Sequence, residues 1–309
     1  MINKRLAHAG KSSFKTLIRR QWQLWVLILP AVAAVFIFHY IPIYGVQIAF
    51  REYRPTRGFF GSDWVGFSHF VRFVTFPDFW KIVRNTVIIS LYGLATFPLP
   101  IILALMINEV GGKKYKRFVQ MVSYAPHFVS TVILCSMVIL FTRYDNGLLN
   151  NFRVFFGFKK MDFITVPEYF ASIYVWSGVW QNIGWNTIIY LAAMSAVSPE
   201  LIEAAKIDGA GRLRVVVHVI IPSILPTIIT LLILNTGSIL SVGFEKIFLL
   251  QNPLNTPASR VISTYVYEIG IRGAQFSYST AIGLFNNVVN IIVIITVNRI
   301  AKIVSSVSL

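Results

Sequence analysis

The sequence of 309 residues holds a single cysteine, Cys135. That excludes an internal disulfide and any cysteine-built metal cluster. Acidic residues are scarce, with 12 Asp and Glu against 28 Lys and Arg, and charged residues make up only 13% of the chain. Soluble domains run near a quarter charged, so this chain lacks the polar surface to cover itself in water. Histidines number five, His8, His39, His69, His127 and His218, scattered without metal-ligand spacing and with no HExxH among them. This composition excludes a disordered protein, a secreted disulfide scaffold and most soluble enzymes.

Apolar residues fill the gap, at 56% of the chain with 15% aromatic and a mean hydropathy of +0.67. A helix needs about twenty mainly apolar residues to cross a bilayer. Six stretches qualify, at about 24–50, 83–107, 119–141, 170–194, 224–249 and 280–300. The fold class expected is an all-α membrane protein of six transmembrane helices. A cytoplasmic N-terminal segment, 1–23, precedes a transmembrane domain, 24–309. Lys4, Arg5, Lys11, Lys15, Arg19 and Arg20 precede the first span, and Lys113, Lys114, Lys116 and Arg117 crowd the second loop. Both clusters predict a cytoplasmic side, with the N- and C-termini there too. The first apolar run is too long for a signal peptide and no small-residue cleavage site follows it. The net charge of +16 then reflects membrane orientation and not nucleic-acid binding, because no basic soluble domain remains between the spans. Cys135 falls mid-span, where packing is its expected role.

The loop 195–223 reads as structure of its own. Ser198 is a good N-cap, Pro199 suits the first helical position, and Glu200 suits the positive end of the dipole. Leu201, Ala204, Ala205 and Asp208 share one helical face, with two alanines that admit a second surface closely. Gly209 and Gly211 can take positive φ and turn the chain. A second helical run, Arg212 to Ile221, is expected to end at Pro222 and Pro226. On physics alone, this is also how an ordinary interfacial helix would look.

Glu203-Ala204-Ala205, then Asp208-Gly209-Ala210, then Ile221-Pro222 resemble, at matching spacing, the EAA signature of ABC-importer permeases. Two further segments are similar to carbohydrate-uptake permeases related to the maltose type: Trp180-Gln181-Asn182-Ile183-Gly184-Trp185 and the run from Gly243 to Pro253. The resemblance implies a type I importer fold, a second permease chain (a different one by preference), two ATPase subunits and an extracellular solute-binding protein. It implies that ATP and Mg are held by the ATPases and that the bacterial cytoplasmic membrane is the site. It also implies that Glu203, Ala204, Ala205, Asp208, Gly209 and Ala210 couple the permease to the ATPase, with Glu203 paired to a basic residue there.

Nothing in this chain reads as a nucleotide site. Gly10-Lys11-Ser12 looks like the tail of a P-loop, but position 5 is Arg where a glycine belongs and no strand precedes it. Polar residues inside spans are costly in lipid and tend to face a pathway. Asn235, Ser238, Ser241 and Glu245 fall on one side of the fifth span. Gln181, Asn182 and Trp185 lie in the fourth, and Asn287 lies in the sixth, in line with Gly283 and Asn290. Such amides and hydroxyls suit sugars; interhelical hydrogen bonds would explain them equally. The expected function is the membrane-spanning subunit of an oligosaccharide importer without catalytic residues of its own. The alternatives are an ABC permease for a non-sugar solute or an ion-coupled secondary transporter.

Overall fold

The computed structural model describes residues 22–237 and 240–305. Ser238, the basic residues up to Arg20, and the final residues 306–309 lie outside the described residues. Almost all of the described chain is helical. Helix α1 spans Trp22–Phe50, with a π turn at Phe36–Tyr40 and a 3₁₀ end at Tyr44–Phe50. A two-residue antiparallel pair follows, β1 (Arg51–Glu52) against β2 (Asp63–Trp64), with Arg51 opposite Trp64. Helix α2 is Ser68–Val74, α3 Phe79–Ala95 and α4 Pro98–Glu109. Then come α5 (Lys113–Tyr124), α6 (Thr131–Thr142), α7 (Leu148–Phe155) and α8 (Pro167–Ser195). Helix α9 is Pro199–Ile207 and α10 is Arg212–Thr236. The chain closes with α11 (Phe244–Leu250), α12 (Thr256–Ser259), α13 (Ile262–Tyr267) and α14 (Phe276–Ser305).

Four helical stretches among the described residues are long and apolar enough to cross a bilayer unbroken: Trp22–Phe50, Phe79–Glu109, Arg212–Thr236 and Phe276–Ile303. Two more crossings arise if each of two bent helix pairs counts as one span. Helix α1 buries none of its most apolar window against the rest of the chain. Leu27 and Phe38 on one side of the helix, and Leu29 and Phe36 on the opposite side, are all left open by the fold, as on a helix surrounded by lipid. At its far end α1 meets α14, and Tyr53 N–H, just beyond β1, donates to Ser277 Oγ at 2.8 Å.

The third expected span, 119–141, is not one helix. After α5 and a 3₁₀ turn at Ala125–Phe128, the chain bends by 98° into α6. Val129 and Ser130 are extended there, with ψ of 128° and 152°. Pro126 removes an N–H just before the bend, and Ser130 Oγ caps the new helix at Ile133 N–H.

The fifth span is also redrawn. Helix α10 begins at Arg212, runs through Pro222 and Pro226, and stops at Thr236 instead of continuing to residue 249. A π turn at Val216–Ile220 shifts the pairing, so that Ile221 N–H reaches Val216 carbonyl. The N–H that Pro222 lacks therefore falls where the regular ladder has already slipped. Asn235, Ser241 and Glu245 consequently do not share one helix. The chain beyond Gly237 is held by α14 instead: Asn290 Oδ1 accepts from Leu240 N–H, and Asn290 Nδ2 donates to Ser241 Oγ, both at 3.0 Å.

Three apolar clusters tie these elements together. Phe73, Phe79, Ile82, Ile262, Tyr265, Tyr278 and Ile282 join α2, α3, α13 and α14. Ile89, Cys135, Phe170, Val242, Ile247, Leu250 and Val261 join α3, α6, α8 and α11. Cys135 is thus buried packing, as its position suggested. The third cluster, Ala104, Tyr190, Met194, Val215, Ile220 and Ile224, joins α4, α8 and α10 beneath α9.

Candidate functional site

Helix α8 is the axis on which the candidate residues are arranged. Its 29 residues extend about 43 Å at 1.5 Å per residue. Near its middle, three of the sequence-selected side chains face the break between α5 and α6. Gln181 Nε2 donates to the carbonyl of Val129 at 2.8 Å, satisfying a group that the bend frees. Asn182 Oδ1 lies 3.0 Å from His127 Nδ1, and Asn182 Nδ2 donates to Gly178 carbonyl. The His127 ring stacks on Trp185 with centroids 4.4 Å apart and planes within 6°. Gly184 lets the backbones of α8 and α5 touch: a Cβ there would collide with the carbonyl of Ser123. Sequence spacing gave no sign of this buttress, because His127 and Ser123 are more than fifty positions from their partners.

The same stretch also borders a cavity of about 520 Å³. Its walls come from the α3–α4 junction, from α8, from the end of α10 and from the segment 241–246. Gln181, Asn182, Asn235 and Ser241 line it; Trp185, Glu245 and Asn287 do not. Glu245 and Asn287 are exposed on other faces. Asn186, Tyr174, Ser90 and Lys246 also line the cavity, and none of them is marked out by the polar stripes of the sequence. Lys246 lay in view, within a segment noticed only for its family likeness. What hid its role was the break at Gly237, which turns α11 back toward α8. Tyr174 carbonyl accepts from Lys246 Nζ at 2.8 Å, and Tyr174 hydroxyl accepts from Gly243 N–H at 3.2 Å.

The second candidate region is α9. Ser198 Oγ accepts from Glu200 N–H at 3.2 Å, as the N-cap reading requires. At the far end Ala210 N–H reaches Ala205 carbonyl at 2.9 Å and Gly209 N–H reaches Lys206 carbonyl at 3.1 Å. With Gly209 at φ +79°, this is a Schellman ending, in which the left-handed residue closes the helix. Gly211 differs from expectation: its φ is −68° and it serves as the N-cap of α10. The single-face reading of the alanines is corrected too. Ile202, Ala205 and Ala210 pack inward on the cluster of Tyr190 and Ile224. Leu201, Glu203, Ala204 and Asp208 are exposed. Ile207 and Leu213, 86% and 81% exposed, flank them as bare apolar tips. Helix α9 departs from the α8 axis by 73°, so this face projects away from the bundle. Among the described residues no cluster of His, Cys, Asp or Glu is arranged to hold a metal.

Known proteins match this arrangement closely. The chain is 45% identical to the polygalacturonan/rhamnogalacturonan transport system permease protein YteP of Bacillus subtilis (strain 168), over 92% of this chain and 88% of that one. It is 43% identical to Protein LplB of the same organism, over 95% and 93%. A crystal structure of a bacterial ABC transporter involved in the import of the acidic polysaccharide alginate contains a chain that superposes with a TM-score of 0.87. That chain is 38% identical, and the match covers 95% of this chain and all of that one. A second structure, of a bacterial alginate ABC transporter in complex with an alginate pentasaccharide-bound periplasmic protein, gives the same TM-score at 37% identity. Residues 96–305, from the α3–α4 junction to the end of α14, fit the model of the binding-protein-dependent transport system inner membrane component. The chain is a member of that family of ABC importer permeases.

Proposed function

We propose that this chain is the membrane-spanning subunit of an importer that carries oligosaccharides inward by alternating access. The observation that supports this reading best is the cavity beside α8. Its volume of about 520 Å³ falls within the range of roughly 300–1,000 Å³ usual for ligand sites. Gln181, Asn182, Asn186 and Asn235 line it together with the aromatic residues Tyr174, Phe97 and Tyr190. That mixture suits a sugar, whose hydroxyls take amide partners while its C–H faces lie on aromatics. The relatives named above for polygalacturonan, rhamnogalacturonan and alginate favour a saccharide over other solutes.

In this reading ATP and Mg are bound and ATP is hydrolysed by two separate ATPase subunits. A second, different permease chain completes the pathway, and an extracellular solute-binding protein supplies substrate. Helix α9 seats its exposed face, Leu201, Ala204 and Ile207, in a groove of the ATPase. Glu203 pairs with a basic residue there. Both termini and α9 lie on the cytoplasmic side.

The test is uptake of labelled oligosaccharides by cells expressing the complete transporter, before and after the proton and sodium gradients are collapsed with ATP maintained. Uptake that persists without gradients and stops when ATP is depleted is the expected result. Uptake that stops with the gradients supports an ion-coupled secondary transporter and overturns the proposal.

A further inference from the structure

The cavity wall carries one charged side chain among the described residues. Asn, Gln, Ser, Thr and Tyr supply its other polar groups, and no Asp, Glu, Arg or His lines it. The exception is Lys246, at the start of α11 and only 9% exposed. Its ammonium donates to Tyr174 carbonyl and stands 4.8 Å from the centroid of the Tyr174 ring. Those contacts orient the group but do not neutralise it. The ion pairs of the described residues lie elsewhere, joining Arg57 to Asp63, His69 to Glu52, and Arg260 to Asp78 and Glu268. Glu245, its chain neighbour, is exposed and off the cavity.

The helix opposite leaves room for something to reach this charge. A Cβ at Gly178 would stand 3.1 Å from Lys246 Nζ, so the bare turn of α8 keeps the ammonium open toward the cavity. Ser90, in the same wall, has a buried hydroxyl without a hydrogen-bond partner. An ammonium withdrawn from water without a counter-ion is costly. A solute that brings its own carboxylate offsets that cost for as long as it is bound.

We infer that Lys246 is a transient anion site in the cavity, favouring saccharides built from uronic acids over neutral ones. The inference rests on the proposed reading of the cavity as the sugar pathway. A lysine offers a point charge where an arginine would clamp a carboxylate through two parallel bonds. One such charge among neutral amides attracts a carboxylate and still lets it go, as a conducting site must.

The test uses the complete transporter, with its partner chains and binding protein, in proteoliposomes. The probes are short oligomers of galacturonate, glucuronate and mannuronate, each beside its carboxyl-reduced neutral counterpart. The wild type is expected to take up at least one uronate oligomer with ATP. Lys246→Gln should lower that uptake about tenfold, the scale of a lost charge-assisted bond, with the melting temperature and neutral-sugar uptake little changed. Lys246→Arg should retain most of the uronate uptake. Equal losses for charged and neutral sugars, or a lowered melting temperature with no change in preference, would make Lys246 a mere tether between α11 and α8 and overturn the inference. ATP-driven uptake of neutral sugars alone would overturn it too, while leaving the proposed function standing. ATP-driven uptake of none of these saccharides would overturn the proposed function itself.

Discussion

Gly184→Leu is expected to abolish accumulation of folded protein in the membrane. The obstacle is backbone: a Cβ at this position meets the carbonyl oxygen and carbonyl carbon of Ser123, where α8 crosses α5. Flexible side chains can swing aside, but two helix backbones in contact can only part. Small residues at such crossings are what let membrane helices approach closely. Overpacking costs about 1–3 kcal/mol even where side chains can adjust. Here the separation would also pull Gln181 from Val129 carbonyl and Trp185 from His127. Gly184→Ala is the milder step and should lower the melting temperature of the detergent-solubilised protein by several degrees. Gly283→Ala is the matched control, because nothing lies within 4 Å of a Cβ at Gly283 on α14. It should accumulate as the wild type does. Equal accumulation of Gly184→Leu and Gly283→Ala, read by gel filtration of a fluorescent fusion, would contradict the crossing described here.

The second large effect is of the opposite kind, with folding spared and coupling lost. Gly209 has open space around its Cβ position, so size is no obstacle; its φ of +79° is. A β-branched residue held in that region costs about 1–3 kcal/mol, enough to undo the Schellman ending and re-aim α9. Gly209→Val should insert normally yet retain its ATPases more weakly and lose about nine-tenths of substrate-stimulated ATP hydrolysis, a change that a shift of ~1.4 kcal/mol produces. Gly209→Asn should keep most of it, since asparagine tolerates the left-handed region. Equal activity of the Val and Asn variants would mean that the turn at Gly209 does not set the position of α9.

The contrast between these glycines reflects what a sequence makes legible. Helix α9 was readable because its determinants are local. Ser198 and Pro199 start it, Gly209 ends it, and each acts on residues within one turn. The apolar runs were readable for the same reason, and three of them, 24–50, 83–107 and 280–300, fall within a few residues of the long apolar helices Trp22–Phe50, Phe79–Glu109 and Phe276–Ile303. The breaks were not readable. Residues 119–141 are apolar on both sides of Val129, and the bend is held from α8, by Gln181 on the Val129 carbonyl and by Asn182 and Trp185 against His127. Pro222 and Pro226 suggested a helix end, yet a π turn leads α10 into Pro222 and the helix continues through Pro226 to Thr236. The polar stripe of the fifth span rested on a helix that stops at Thr236, so Asn235 and Ser241 reach the cavity from different segments while Glu245 turns away. Lys246 is legible only after that break is known.

The central claim is that α9 is the face through which separate ATPase subunits drive this chain. The most direct measurement is thiol labelling of Ala204→Cys in a Cys135→Ser background, with a membrane-impermeant reagent. The account predicts no labelling in intact cells and ready labelling in inverted vesicles stripped of ATPase subunits. It predicts strong protection when the ATPases are restored. Labelling from outside intact cells, or labelling in inverted vesicles that the ATPases leave unchanged, would contradict it.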